Sequence, residues 1–595
     1  MASFDDNARW YLPLICVLSF ASVVSHRIVK SHILPTVGDN RYTMKNDLVP
    51  RRGSIFCQDR SAAESIPLWR YHLDPASMSS RRRTSLDNVK IISEILGLDR
   101  EEVYRKSLRK SGPGWRHQFL AESDDSNVYR KLSDRREVDG ISIDRLQKRR
   151  YINGRFLSHV IGSVNAEGVG SCGIEQRFNR NLKGVPGRIE GKKDARGREI
   201  HDKRETYVPA VPGDAVHLTI DANIQNAVEK AMRRGVSEFN ASSGWCIILD
   251  VKTASVLAMA SLPDFDPSAF GKASDFQKIN RAVAYNYEPG SVMKAVTAAI
   301  AIETGACTPK TMISTDRYDE RYYRLPGDGY KKWPAKMSLT DAIKKSSNIV
   351  MGKVGYDLGP KVMHEYLKKF GFGAKTGIEL PGEQYGILRN WQRLDKAGWS
   401  RVPIGQGVSV TAIQMAGAFQ IIANDGVRLR PHIIDCIKSP DGRVLQKTFA
   451  VPLGRVVGAD TAAKVREMML GVSAVGGTAR RARIKGYSVA GKTGTAQKVV
   501  NGRYAPGLYC ATYCGIIPSG VPNKGEDGTL YQTDPEVVIL VSLDFDTRQA
   551  LHQGGNTSAV VFRHIATWLM RHLHVEPDRP DELIDEPNIE DEWIN

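Results

Sequence analysis

The chain has 595 residues, which on a length prior of ~150 residues per domain allows roughly three to four domain-sized units. Lys and Arg number 84 against 66 Asp and Glu, a formal net charge of +18. The excess is spread over Arg81-Arg82-Arg83, Arg135-Arg136, Arg149-Arg150 and Lys192-Lys193 with no recognition motif around it, which argues against a nucleic-acid binder and for a solvated surface compatible with anionic lipids and polymers.

Taken in chain order, residues 10–29 form a largely apolar run, uncharged over 10–25. At ~16–20 residues it is short for a membrane span and long for a signal-peptide core. Asp5, Asp6 and Arg9 precede it and Arg27 and Lys30 follow, so the positive-inside rule alone would put its C-terminal side in the cytoplasm. An anchor, a cleavable signal and a buried core helix all fit the pattern. Residues 31–212 are polar and charge-rich, with strands expected near 52–56 and 156–164 and helical periodicity over 86–109. Residues 213–575 alternate apolar strands, expected at 245–250, 255–260, 488–500, 508–517 and 536–543, with helices; 518–534 reads as a long polar loop. Residues 576–595 are acidic and proline-bearing, the composition of a disordered tail. Of eight cysteines, Cys16 lies in the apolar run and the other seven are irregularly spaced, so neither a disulfide framework nor a zinc site is indicated. Cys510 and Cys514 fall on one expected strand, ~13 Å apart and beyond disulfide reach, and read as buried thiols.

Three short segments within 213–575 carry the chemistry. Ser291-Val292-Met293-Lys294 follows the turn Pro289-Gly290 and opens an apolar helix that ends before Gly305. Residues three apart share a helix face, so Ser291 Oγ and Lys294 Nζ are expected to meet at the helix N-terminus. Apolar Val292, Met293, Ala295 and Val296 desolvate the lysine and lower its pKa, and only a neutral amine can take the hydroxyl proton. An amphipathic helix with a solvated lysine has the same spacing; the other two segments tell against it.

Ser346-Ser347-Asn348 follows a predicted helix over 339–343. A hydroxyl and an amide two residues apart on a bend can relay a proton and hold an amide, although a Ser-Ser-Asn helix cap reads the same way. Lys492-Thr493-Gly494-Thr495 sits in the strand expected at 488–500. As an edge strand it can pair with an extended peptide through its main chain, with Gly494 leaving room for backbone approach and Lys492, Thr493 and Thr495 gripping a terminal carboxylate. A second copy, Lys375-Thr376-Gly377, runs into Pro381 and is read as chance.

With these motifs the chain resembles the class B penicillin-binding proteins, monofunctional D,D-transpeptidases that crosslink bacterial peptidoglycan. The resemblance runs from about 51 to 565 and extends to Arg52-Gly53-Ser54-Ile55, Gly173-Ile174-Glu175, Leu218-Thr219-Ile220-Asp221, Glu288-Pro289-Gly290, Ile404-Gly405-Gln406-Gly407 and Gly554-Gly555. The Ser-Ser-Asn and Glu-Pro-Gly forms look more like the septal, cell-division branch than the elongation branch. Ala295 stands where many members carry a proline, and Tyr151-Ile152-Asn153-Gly154 lacks another; neither touches the nucleophile, the base or the strand motif.

The resemblance implies an α/β (α+β) serine penicillin-recognising transpeptidase fold, an antiparallel sheet packed between helices with the Ser291 helix buried behind it. It implies a cytoplasmic N-terminus (1–9), one membrane anchor (10–29), an elongated α+β pedestal or dimerisation-like domain (31–212), the transpeptidase domain (213–575) and the tail (576–595). Ser291 would attack the penultimate D-alanine carbonyl with Lys294 as base, Ser346 would relay the proton to the departing D-alanine, and Asn348 would bind the donor peptide. The backbone N–H groups of Ser291 and Thr495 would form the oxyanion hole, with Lys492, Thr493, Gly494 and Thr495 holding substrate. No cofactor or metal is expected. Implied partners are stem peptides, β-lactams, the membrane, a membrane-embedded glycosyltransferase and other division proteins. Because lipid-linked peptidoglycan is crosslinked outside the cytoplasm, the site chemistry overrides the charge rule and puts the N-terminus inside and the catalytic domain outside. A serine β-lactamase or carboxypeptidase would share the three motifs and send water to the acyl-enzyme; a division scaffold would keep the fold and lose the chemistry.

Overall fold

The computed structural model describes residues 43–583, except 77, 79–81, 110–116, 135–137, 139, 194–198, 330, 526–527 and 547–551, together with 593–594. The apolar run 10–29 lies outside the described residues, among which no helix is long and apolar enough to cross a membrane. The chain divides into two units, one containing Pro67–Leu146 and Val185–Val211, the other Arg51–Ile66, Gln147–Gly184 and everything described from Pro212 onward. Two stretches of the module expected at 31–212 therefore belong to the unit that carries the three motifs.

In the first unit, Trp69, Tyr71 and Leu73 project from a strand onto Val89, Ile92 and Val103 to form a small core. The helix expected over 86–109 is two helices, Arg82–Leu96 and Arg100–Ser107. Gly97, at φ +67°, ends the first, and Asp99 caps the second by accepting from the N–H groups of Glu101 and Glu102. A separate antiparallel ladder joins Thr43–Leu48, Gly187–Lys193 and Glu199–Val208.

The second unit is built on five antiparallel strands: β1 (Ser243–Asp250), β2 (Val256–Leu262), β3 (Ala490–Val500), β4 (Arg503–Ile517) and β5 (Val537–Phe545). Their spatial order is β2-β1-β5-β4-β3, which puts β5 at the centre and β3 at an edge. Every residue of β5 is buried, as helices on both faces require, and its two polar residues have partners: Ser542 pairs with Thr512 at 2.9 Å, and Asp544 Oδ2 accepts from Lys498 at 2.8 Å. The β3–β4 turn is Asn501-Gly502, both at positive φ, the turn whose twist matches paired strands.

Helices α1 (Ala222–Glu238) and α7 (Ser558–His572) pack on each other and on the sheet. Asp221 caps α1, whose Ile224, Ala227, Val228, Ala231 and Met232 recur at helical spacing and are buried. A second pair, α5 (Ala412–Ala423) and α6 (Ala459–Ser473), also packs on the strands. Helix α2 (Met293–Glu303) packs chiefly on α6, α3 (Leu339–Lys345) and α4 (Asn348–Leu358) rather than on the sheet as expected, and the turn before it meets β3. Its apolar residues face helices on all sides, so Met293 through Ala301 are buried.

Three further expectations are corrected. Residues 156–164 are not a strand: Leu157 sits at φ +54°, Ser158–Ile161 forms a helical turn, and all four of its residues are buried, leaving no alternating face. Residues 518–534 contain a short ladder, Asn523–Lys524 with Leu530–Tyr531. The described parts of 576–595 are docked: buried Asp578 accepts from Ser488 N–H at 2.7 Å, Trp593 stacks on His564 at 4.3 Å, and Ile594 enters the main core. Average composition hid these few anchors.

The family-like motifs near the N-terminus turn out to be one ionic knot. Glu175 is fully buried and accepts from Arg52 Nε and Arg149 Nε, each at 2.6 Å, while Arg52 also donates to Asn179 at 2.9 Å and Arg149 to Gly53 O at 2.8 Å. Glu175 thus has both oxygens engaged, and each arginine gains a further hydrogen bond of the kind that buried charge requires.

Candidate active site

Ser291 sits in a 3₁₀ turn, Gly290–Val292, immediately before α2. That turn is held through backbone. Gly290 N–H donates to Gly405 O at 3.0 Å, and a Cβ on Gly405, itself at φ +78°, would come 2.1 Å from Gly290 O. Thr297, one turn into α2, donates to Pro403 O at 2.8 Å and ties the helix to the same support. Strand β3 crosses the other side of the turn, where a Cβ on Gly494 would lie 2.6 Å from Pro289 O. Glycine at 494 is what lets the third motif approach the first. Lys294, one helical turn along, is fully buried, and Ser291 is half-buried.

The second segment joins α3 to α4. Ser346 adopts the left-handed conformation (φ 57°, ψ 48°), which breaks the helix and turns the chain. Ser347 then caps α4, accepting from Val350 N–H at 3.2 Å. The capping reading of Ser-Ser-Asn is thus true of Ser347, while its neighbours face the cluster. Lys294 Nζ donates to Asn348 Oδ1 at 2.6 Å and to Ser346 O at 2.9 Å, and lies 3.2 Å from Ser346 Oγ. The hydrogen bond expected between Lys294 and Ser291 Oγ is not among those of the described residues, because the amine is engaged by the second segment.

Alternation along β3 divides the third motif. Lys492 and Gly494 face the helices, and Lys492 Nζ, fully buried, donates to Ser346 Oγ at 3.0 Å. Thr493 and Thr495 face the other way: Thr493 Oγ1 pairs with Thr478 Oγ1 at 2.9 Å, and Thr495 Oγ1 accepts from Gly554 N–H at 3.1 Å. Lys492 therefore joins the catalytic cluster rather than standing beside the threonines. The chance copy at Lys375-Thr376-Gly377 lies outside any strand, where Thr376 N–H and Oγ1 both donate to Glu383 at 2.6 Å.

One hydroxyl, Ser346 Oγ, thus sits between two buried amines. If both were charged they would repel by roughly 3 kcal/mol at an effective dielectric of ~20. Burial pushes Lys294 well below the usual lysine range, with the Lys492 charge acting in the same direction and Asp328 against it. Burial lowers Lys492 to about 7. The cluster favours a neutral Lys294, a base able to take a proton at ordinary pH.

Sequence reasoning missed the loop that backs the second segment. Asp328 accepts from Asn348 N–H, from Ser347 Oγ at 2.7 Å and from Trp333 Nε1 at 2.8 Å, and Gly327 O accepts from Asn348 Nδ2 at 2.8 Å. In sequence, Gly327-Asp328-Gly329 reads as an ordinary turn. Also unremarked was the link between Glu288 and Tyr504, whose hydroxyl donates at 3.1 Å beside the nucleophile turn.

A serine, two desolvated lysines, a shared hydroxyl, an amide and an edge strand brought to one place make a serine acyltransferase centre. Comparison with known proteins gives the family. Residues 244–524 match the penicillin binding protein transpeptidase domain and 47–218 the penicillin-binding protein dimerisation domain. The chain is 32% identical over 472 residues to penicillin-binding protein PbpB of Mycolicibacterium smegmatis, covering 78% of this chain and 70% of that one. It is 28% identical over 589 residues to peptidoglycan D,D-transpeptidase FtsI of Escherichia coli K12, covering 96% and 93%. The crystal structure of apo penicillin binding protein 3 from Mycobacterium tuberculosis superposes with a TM-score of 0.66 at 28% identity, covering 89% of this chain and 98% of that one. The chain belongs to the class B penicillin-binding proteins and is a serine-type peptidoglycan D,D-transpeptidase.

Proposed function

We propose that Ser291 forms the acyl-enzyme with a stem peptide and that the chain works in septal wall synthesis. Ser291 Oγ attacks the penultimate D-alanine carbonyl and gives its proton to Lys294. Ser346 Oγ, shared by both amines, returns a proton to the departing D-alanine, and an amine on a second strand then displaces the serine to complete the crosslink. Asn348 holds the donor peptide, and Thr493 and Thr495, on the face of β3 opposite Lys492, hold its terminal carboxylate. The N–H groups of Ser291 and Thr495 stabilise the oxyanion, a contribution of about 3–4 kcal/mol for each such donor. The observation that carries this reading is the contact of Lys294 and Lys492 with one Ser346 hydroxyl. β-Lactams acylate the same serine.

The septal assignment is supported by the likeness to FtsI and by the Ser-Ser-Asn and Glu-Pro-Gly forms. With it go one membrane anchor at 10–29, a catalytic unit outside the cytoplasm, and a membrane glycosyltransferase and division proteins as partners. Labelling of wild type and Ser291→Ala with a fluorescent penicillin tests the site. Stable label lost in the variant supports the transpeptidase, rapid release of label points to a β-lactamase, and no label in either leaves a scaffold. Depletion tests the branch: arrested septation is expected, and rounding without a division block would overturn the septal role.

A further inference from the structure

We propose that Asp328 and Lys331 are positioning residues of the acyl-transfer site: Asp328 holds the first turn of α4, and with it the Asn348 amide, against Lys294, and Lys331 on the same loop reaches the chain at Lys345, one residue before Ser346. This rests on the role given to Lys294 above. The geometry is specific. The Asp328 carboxylate takes the backbone N–H of Asn348 and the Ser347 hydroxyl, fastening the loop to the start of α4 by two bonds, while the Trp333 indole of the same loop donates to it and braces the carboxylate. Gly327 O then takes Asn348 Nδ2 at 2.8 Å, which leaves Oδ1 as the atom turned to Lys294 at 2.6 Å. An Asn amide has two faces of opposite polarity, and only one of them can accept from an amine. Without the loop nothing on that side selects it.

The same loop bears on the amine through charge. The charged groups that act on Lys294 are Lys492 from β3 and Asp328 and Lys331 from the loop, while the α3–α4 linker contributes the neutral Ser346 and Asn348. Asp328 favours the protonated amine and Lys331 disfavours it. Lys331 is exposed and donates to Lys345 O at 3.4 Å, one residue before the Ser346 that meets Lys294, with its Nζ 5.5 Å from the centre of the Trp333 ring, so it can be neutralised without emptying a core position.

The test measures the second-order rate of acylation by a fluorescent penicillin over a pH series, with thermal unfolding alongside, for the full chain and its Ser291→Ala, Asp328→Asn and Lys331→Gln variants. Ser291→Ala carries the reading of the site alone; label retained there would sink that reading whatever Asp328 does. Asp328→Asn is expected to acylate about ten- to a hundredfold more slowly, since a misplaced amide costs alignment. Its rise of rate with pH should move to lower pH, because the anion that held the proton on Lys294 is gone. Lys331→Gln should move that rise to higher pH. Unchanged rate and pH dependence in Asp328→Asn, or uniform slowing with a lower Tm and no displacement, would overturn the proposal. So would an unmoved profile in Lys331→Gln, which decides the matter even if Asp328→Asn does not fold.

Discussion

Lys492 shows how one residue carries opposite obligations to stability and to chemistry. Its amine is fully buried and lowered from an ordinary value of 10.5 to about 7. Between those values the unfolded chain holds a proton that the folded chain releases, so stability rises with pH from about 7 to 10.5 and the full penalty applies below 7. Lys492→Met should therefore fold more stably at neutral pH, by roughly 1–4 kcal/mol, while losing acylation. Urea denaturation at neutral and high pH checks this, since the gap between variant and wild type should close as pH rises. The sequence exposed the residue but not its neighbour: the Lys-Thr-Gly-Thr pattern pointed to Lys492, whereas the partner oxygen lies on Ser346, 146 residues away. Asp328 was illegible for the same reason, being defined by what it accepts from and not by its surroundings in the chain.

Among the elements, β3 was the most legible, expected at 488–500 with Gly494 at the approach point, but the Asn501-Gly502 turn that fixes its register went unread, so its partner was expected from 508 and begins at Arg503. The close approach at Gly494 makes a sharp prediction. A Cβ there would meet Pro289 O at 2.6 Å and Val292 Cγ2 at 2.8 Å, so Gly494→Ala must push the strand away from the Ser291 turn. Acylation is expected to fall about a hundredfold with little change in Tm, read from penicillin labelling and thermal unfolding. The 3.6-residue pattern located α2 but could not tell which layer it joins, because a helix apolar on every side fits a sheet or a helical bundle equally well. In 86–109 the periodicity continued through the break at Gly97, and only the Asp99 cap marks the restart.

For the whole molecule, fold class and family were legible and the course of the chain through its units was not. Linear composition suggests one module ending near 212, yet 51–66 and 147–184 supply Ile55, Tyr151, Val160, Ile174 and Leu182 to the same core as α2 and β5. A catalytic chain beginning at residue 213 is therefore expected to unfold without a single cooperative transition, whereas one beginning at 43 should melt as a native protein; calorimetry separates the two. Glu175→Gln, which leaves Arg52 and Arg149 buried against a neutral partner, should cost about 3–5 kcal/mol by denaturant unfolding. This threading also sets a timetable. The strand at Ile55–Cys57 is among the first of its unit to leave the ribosome, its parallel partner at Ala215–Leu218 comes much later, and central β5 is nearly last. The transpeptidase cannot seal itself until synthesis is almost over, so its earliest apolar segments must be kept from other chains in the meantime.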